Sequence, residues 1–141
     1  MPRRIWEKAS RAVTSDKAGL AILGSAALVR AVSYAPWFVN TARDPAHWLE
    51  GLLPAPAWGV VWLVIAVACM AAIIAPRLLP MAVGMTVAIN ALWALSFTAL
   101  TFTGESPRGY VSALGYAAVA LLTMWGFGRG REIAPVRIEK G

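Results

Sequence analysis

The 141-residue chain is 59% hydrophobic and only 14% charged, with a mean hydropathy of +0.62. A soluble domain of this length could not cover so much apolar surface with so few charges, so the expected solvent is a lipid bilayer. The net charge of +6 is concentrated at the two ends and in one turn, which is typical of residues that fix membrane topology and contact anionic headgroups. Membrane lipid is therefore an expected partner, and nucleic acid is not.

Four apolar segments have about the 20 residues that a helix needs to cross a bilayer. They cover residues 18–39, 57–75, 81–102 and 110–128. These segments lack the alternating pattern of barrel strands, so we predict an all-α integral membrane protein with four transmembrane helices. The proline-containing connections between the second and third segments and between the third and fourth predict an antiparallel bundle of two hairpins. Residues 1–17 and 129–141 complete this single membrane domain as basic tails.

The connection after the first segment reads "NTARDPAHWLEGLLPAP". Asp44 and Pro45 have the residue types of a helix N-cap and first helical position. Four apolar residues then follow at helical spacing: Trp48, Leu49, Leu52 and Leu53. We expect a short amphipathic helix in the outer membrane interface, ended by Pro54 and Pro56, and an irregular loop is the alternative.

The distribution of lysine and arginine predicts the orientation. The side of the membrane that holds both tails and the turn at Arg77 carries ten of these residues: Arg3, Arg4, Lys8, Arg11, Lys17, Arg77, Arg129, Arg131, Arg137 and Lys140. The opposite side carries Arg43 and Arg108. Since cytoplasmic loops are enriched in positive charge, both termini and the turn at Arg77 are expected in the cytoplasm.

Residues that carry chemistry are few. Cys69 is the single cysteine and lies in an apolar run, where we expect a small packing residue, and His47 has no clustered partner for a metal site. Every Asp and Glu lies in a tail or a connection, which disfavours a proton-coupled exporter. Without a nucleophile paired with a base, a carboxylate pair or a metal cluster, neither an enzyme nor a bound cofactor is expected.

Arg30 lies inside the first apolar segment, and two explanations are open. In the first, Pro36 ends the helix at about Ala35 and Arg30 extends to the headgroups from its last turns. In the second, Arg30 faces other helices, because helical side chains tilt toward the N-terminus and would carry this one deeper into the bilayer. An arginine facing lipid at the bilayer centre costs about 2.5–3.5 kcal/mol, which a polar partner would offset.

The best partner in the sequence is Asn90, near the middle of the third segment and therefore at similar depth. Tyr34 shares a helical face with Arg30, and Thr86 shares one with Asn90. We therefore predict an intramembrane polar network of Arg30, Tyr34, Thr86 and Asn90. Both a role in helix packing and a role in lining a path for water or anions are open.

Three stretches carry a resemblance to a known group: "SDKAGLAILGSAALVRAVSYAP", "INALWALSF" and "SPRGYVSALGYAAVALLTMWGFGRGRE". From Ser15 to Glu132 the chain resembles the small four-span membrane proteins of actinobacteriophage lysis cassettes, which are regarded as holins or holin-like. The resemblance implies a protein that oligomerises in the host inner membrane and permeabilises or depolarises it so that endolysin can act, alone or with other phage lysis proteins.

Small residues four apart are compatible with a homo-oligomer, at Ala68/Ala72, Gly84/Ala88 and Ala113/Ala117. Two other functions remain open. One is a non-lytic accessory or scaffold membrane protein, and the other is a small anion channel that uses Arg30.

Overall fold

A computed structural model describes residues 15–37 and 44–129, and these ranges contain helices and turns but no strand. The α-helices are α1 (Asp16–Ser33), α2 (Ala55–Ile74), α3 (Leu79–Phe102) and α4 (Gly109–Gly128). Two short 3₁₀ helices, Glu50–Leu52 and Pro76–Leu78, precede α2 and α3. The predicted tails lie almost entirely outside the described residues.

Helix α1 begins at a well-formed N-cap, where the Ser15 hydroxyl accepts a hydrogen bond from the backbone N–H of Ala18. It ends at Ser33, six residues earlier than predicted, because Pro36 disfavours helical geometry at the residue before it. The Ser33 hydroxyl also donates to the carbonyl oxygen of Arg30 at 2.7 Å. The prediction of a first helix extending to residue 39 is therefore wrong at its C-terminal end, and residues 38 and 39 lie outside the described ranges.

Helices α2, α3 and α4 begin and end within two residues of the predicted bounds. The prolines that punctuate the sequence account for this agreement, since Pro56 and Pro80 occupy first-turn positions where a missing N–H costs little. Three helical segments are long and apolar enough to cross a membrane: Ala55–Ile74, Pro76–Phe102 and Gly109–Gly128.

The helices form two closely packed pairs, α1 with α2 and α3 with α4, and α2 with α3 is the next most extensive contact. Glycines permit the close approach at both pairs. A Cβ on Gly59 of α2 would lie 3.2 Å from the Tyr34 Cβ, and one on Gly109 of α4 would lie 2.7 Å from the Thr101 hydroxyl oxygen. We call the end of the bundle where α1 and α3 stop and α2 and α4 begin the His47 end.

The segment from Asp44 to Pro54 does not form the predicted amphipathic helix. Asp44 and Pro45 are not helical, and the segment contains one 3₁₀ turn at Glu50–Leu52. The reason is that polar side chains hydrogen-bond to the segment's own backbone and compete with helix formation. Of the four apolar residues predicted to share a face, one is buried and three are exposed: Leu49 is buried, and Trp48, Leu52 and Leu53 are exposed.

The core is aromatic at the His47 end and built from small residues further along. Trp93 of α3 is almost completely buried, and Trp58 and Trp62 of α2 pack against it edge-on. Cys69 is also fully buried, in the part of the core where α1, α2 and α3 meet. Large apolar side chains cover much of the outer surface on all four helices, as a lipid-facing bundle requires.

Candidate functional site

A cavity of about 780 Å³ opens between α1 and α4 and is lined by residues of all four helices. We call it the seam cavity. Its polar and aromatic lining includes Arg30 and Ser33 of α1, Trp62 of α2, Thr86 and Asn90 of α3, and Ser112 and Tyr116 of α4. It exists because each hairpin is packed closely within itself, whereas α1 and α4 make no extensive contact with each other.

Arg30 lies in the last turn of α1 and is partly buried. Its guanidinium carbon is 4.9 Å from the centre of the Tyr116 ring and 5.7 Å from that of the Trp62 ring. These are cation–π contacts, in which the negative face of an aromatic ring attracts the positive charge. Arg30 forms no ion pair with a carboxylate of the described residues.

The aromatic partners fix the depth of the guanidinium. Trp62 is seven residues into α2 and Tyr116 is seven residues into α4, and both helices begin at the His47 end. At 1.5 Å per residue, the guanidinium therefore lies about 10 Å along the bundle from that end. The helix end at Ser33 agrees with one part of the first explanation for Arg30, in which Pro36 ends the helix early. The aromatic contacts agree with the second explanation, in which Arg30 faces other helices.

The polar groups of α3 in the seam cavity bond mainly to their own helix. The Asn90 amide donates to the carbonyl oxygen of Thr86 at 2.8 Å, and the Thr86 hydroxyl donates to that of Ala82 at 2.8 Å. The Thr86 oxygen also lies 3.6 Å from the sulfur of Cys69. Arg30, Thr86 and Asn90 therefore line one cavity, but no hydrogen bond joins Arg30 to Asn90.

Tyr34, the fourth residue of the predicted network, belongs to a different cluster. Since α1 ends at Ser33, Tyr34 turns away from the seam, and its hydroxyl donates to Glu50 Oε1 at 2.9 Å. The backbone N–H of Ala46 donates to the second carboxylate oxygen at 2.5 Å, and Trp58 Nε1 donates to the Glu50 carbonyl at 2.9 Å. Glu50 is only 6% exposed, so the connection before α2 is folded into the end of the bundle.

His47 completes this second cluster and is 3% exposed. Its ring packs edge-on against Trp93 and Phe97 of α3. Nδ1 lies 3.2 Å from the backbone nitrogen of Glu50 and 2.8 Å from the hydroxyl oxygen of Ser96. Because a backbone N–H can only donate, Nδ1 is an acceptor, and the neutral ring carries its proton on Nε2.

Burial lowers the pKa of His47 below 6.5, since the charged ring would lose its hydration. The negative charge of Glu50 opposes this shift, and the positive charge of Arg30 adds to it. Protonation of Nδ1 would also remove the hydrogen bond that it accepts from the backbone N–H of Glu50. The structure thus holds His47 in its neutral form.

Sequence reasoning did not assign Trp62 and Tyr116 to the seam cavity, or His47, Glu50 and Ser96 to the second cluster. Asn90 was chosen as a partner for Arg30 because the two residues lie at similar depth in the membrane. The same comparison of depths applies to Trp62 and Tyr116, because each is seven residues into its helix. No comparable signal identifies His47 and Glu50, since their burial depends on the turns of the connection between α1 and α2.

The described residues define an all-helical protein with three helices that could span a membrane, a seam cavity with an arginine on its wall, and a buried polar cluster at one end. Within those residues, no three His, Cys, Asp or Glu side chains are grouped so that they could hold a metal ion. Comparisons with protein-family models, with curated proteins and with solved structures find no match to this chain.

We predict that the stability of the folded chain decreases as the pH falls below about 6.5. The unfolded chain binds a proton at His47 near its ordinary pKa of about 6.5, whereas the folded chain does so at a lower pH. Acid therefore favours the unfolded chain. The thermal midpoint of the detergent-solubilised chain, measured between about pH 7.5 and pH 5.5, should fall for the wild type and fall less steeply for His47→Gln.

The chain has one histidine, so the ring resonances in an NMR titration report His47 without ambiguity. A midpoint slope that is the same in both variants would contradict the prediction, as would a His47 pKa of 6.5 or above in the folded chain.

Proposed function

We propose that this protein is a four-span membrane protein of the bacterial inner membrane that self-associates and permeabilises that membrane, in the manner of a phage holin. The observation that carries the proposal is the seam cavity. Two closely packed hairpins leave between α1 and α4 an opening whose wall contains an arginine and an asparagine. A bundle with a few polar side chains in the opening between its hairpins can expose those side chains to water through a modest rearrangement.

The proposal counts α1 as the fourth span. Its 18 residues rise about 27 Å, close to the roughly 30 Å of bilayer hydrocarbon. It packs along α2, with Leu20, Gly24 and Ala27 buried, and its outer face carries apolar residues. Two of its three charges, Asp16 and Lys17, lie at its first turn, where they reach an interface.

The charges of the described residues support the proposed orientation. Lys17 at the start of α1, Arg77 between α2 and α3, and Arg129 after α4 all lie at one end of the bundle, and Arg108 lies at the other. Positive charge favours the cytoplasmic side, so the His47 end faces outward and both termini are cytoplasmic. The basic tails predicted from the sequence would strengthen this bias and contact anionic lipid.

Topology reporters test this arrangement. We predict that a fluorescent protein folds on either terminus, and that alkaline phosphatase inserted after Glu105 is active because that connection lies in the periplasm. A cysteine in place of Asp44 should react with an impermeant thiol reagent, whereas one in place of Arg77 should not. Reaction of both positions from outside, or of neither, would contradict four spans with cytoplasmic ends.

Permeabilisation requires copies of the chain to meet. Of the small-residue pairs in the sequence, Ala68/Ala72 is buried within the bundle, and Ala113 of the pair Ala113/Ala117 is buried too. The pair Gly84/Ala88 is exposed on α3, and a Cβ on Gly84 would meet no atom within 4 Å. This face is available for association between copies through close backbone packing.

Inducible expression in a bacterium tests the activity. We expect the wild-type chain to collapse the membrane potential, and co-expressed endolysin to convert that collapse into lysis. Arg30→Gln removes the charge from the seam cavity and should delay or weaken depolarisation several-fold at equal membrane abundance. Arg108→Gln is the matched control, because Arg108 is exposed between α3 and α4, and it should behave as the wild type.

The outcomes separate the competing functions. Sustained membrane potential and viability at high expression would contradict the holin proposal and favour a non-lytic accessory or scaffold protein. A small-anion flux in liposomes that Arg30→Gln abolishes, without passage of larger solutes, would favour an anion channel. That second candidate draws on one observation, namely that Arg30 has no ion pair within the described residues.

A further inference from the structure

One donor group on the wall of the seam cavity and one enclosed beside it lack acceptors. Arg30 has aromatic contacts but no ion pair or hydrogen bond from its guanidinium within the described residues. Trp62, which lines the same cavity and is 4% exposed, has a buried indole N–H with no hydrogen-bond partner there. The Trp62 N–H is enclosed and does not reach the cavity, so the guanidinium is the group that indicates an occupant with acceptor atoms, because donors in a mainly apolar setting are normally satisfied.

An acceptor that carries negative charge matches the guanidinium best. The buried carboxylate of Glu50 accepts hydrogen bonds from Tyr34 and from the backbone of Ala46. The ring contacts provide no acceptor oxygen for the guanidinium N–H groups, and a guanidinium matches a carboxylate in a two-bond geometry.

The rest of the cavity is suited to a hydrocarbon chain. Ser33 and Ser112 place hydroxyls near the His47 end, close to the level of Arg30. Further along α1, α2 and α4 the wall is formed by Leu23, Ile65 and Val119. The volume of about 780 Å³ lies within the roughly 300–1,000 Å³ that is typical of sites for organic ligands.

We propose that the seam cavity binds one long-chain carboxylate, a fatty acid anion, with its carboxylate on Arg30 and its chain along the apolar wall between α1 and α4. The ligand enters sideways from the membrane, because the cavity opens between two helices. This binding is separate from permeabilisation, and each can fail without the other.

The geometry favours this occupant over two others. A phospholipid would have to bring a bulky headgroup about 10 Å along the bundle to reach Arg30, whereas a carboxylate is small enough to follow its chain. An inorganic anion would lose its hydration among mainly apolar side chains and gain little in return.

Binding of oleate to the purified full-length chain in detergent tests the proposal, with retained ligand measured by native mass spectrometry. Oleyl alcohol has the same chain without the charge, and we expect it to bind at least about ten-fold more weakly, since a charge-assisted hydrogen bond contributes about 1.5–3 kcal/mol. Arg30→Gln should reduce oleate affinity by a similar factor, whereas Arg108→Gln should not.

A second pair of variants tests the cavity without changing its charge. Gly115 lines the cavity, and a Cβ there would meet no atom within 4 Å, so Gly115→Leu can fill the space that the chain of the ligand would occupy. Gly126→Leu is the matched control on the same helix, with equal space around it but outside the cavity lining. Gly115→Leu should abolish oleate binding, and Gly126→Leu should leave it intact.

Three results would overturn the proposal: equal retention of oleate and oleyl alcohol, equal effects of the two leucine variants, or retention of an anionic phospholipid in preference to oleate. Circular dichroism and size-exclusion profiles identify variants that fail to fold. If Arg30→Gln is among them, the comparison of Gly115→Leu with Gly126→Leu and the comparison of oleate with oleyl alcohol still test the proposal.

Discussion

The packing of Trp93 holds the two hairpins together. Its ring is 1% exposed and contacts Trp58 at 4.6 Å and Trp62 at 5.7 Å between ring centres. It also packs edge-on against His47 at 5.1 Å and lies 6.5 Å from Tyr116. One side chain of α3 therefore contacts α2, α4 and the connection before α2. Because α1 and α4 are not closely packed on each other, the relation between the hairpins depends on this contact.

The same aromatic residues separate two polar sites of opposite charge. Tyr116 and Trp62 contact both Trp93 and the guanidinium of Arg30, and Tyr116 is stacked on Phe97 at 5.8 Å. On the other side, Phe97 packs against His47, whose neighbour is the buried carboxylate of Glu50. The His47 cluster closes one end of the bundle, whereas the seam cavity leaves the bundle open between α1 and α4. A protein that changes the packing of its hairpins would need one end that stays closely packed and one side on which α1 and α4 can separate.

The sequence predicted what local rules determine. The bounds of α2, α3 and α4 follow from apolar length and from prolines, and both signals are local. The end of α1 was placed too late because the apolar run continues past Ser33, although Pro36 carried the correct signal. The segment after Asp44 has the residue types of a helix start, but bonds from Ala46 and Tyr34 to Glu50 favour turns.

The site was predicted in part for a similar reason. Helical spacing places Thr86 beside Asn90, and the similar depths of Arg30 and Asn90 along their helices place Arg30 at the same cavity. These three residues could therefore be found from the sequence. The contacts of Arg30 with Tyr116 and Trp62 depend on how each helix is rotated about its axis. That rotation is set by packing around Trp93, because apolar residues surround α2 and α3 on all sides and their sequences do not favour one face.

Trp93 couples the hairpins, and the unfolding of two tryptophan variants in mixed micelles tests this role most directly. Trp125 of α4 is 58% exposed and contacts Arg129, so Trp125→Ala removes the same side chain from a surface position. We predict that Trp93→Ala lowers the free energy of unfolding by about 3–5 kcal/mol, and that Trp125→Ala lowers it by less than about 1 kcal/mol. Equal losses in the two variants would contradict the claim.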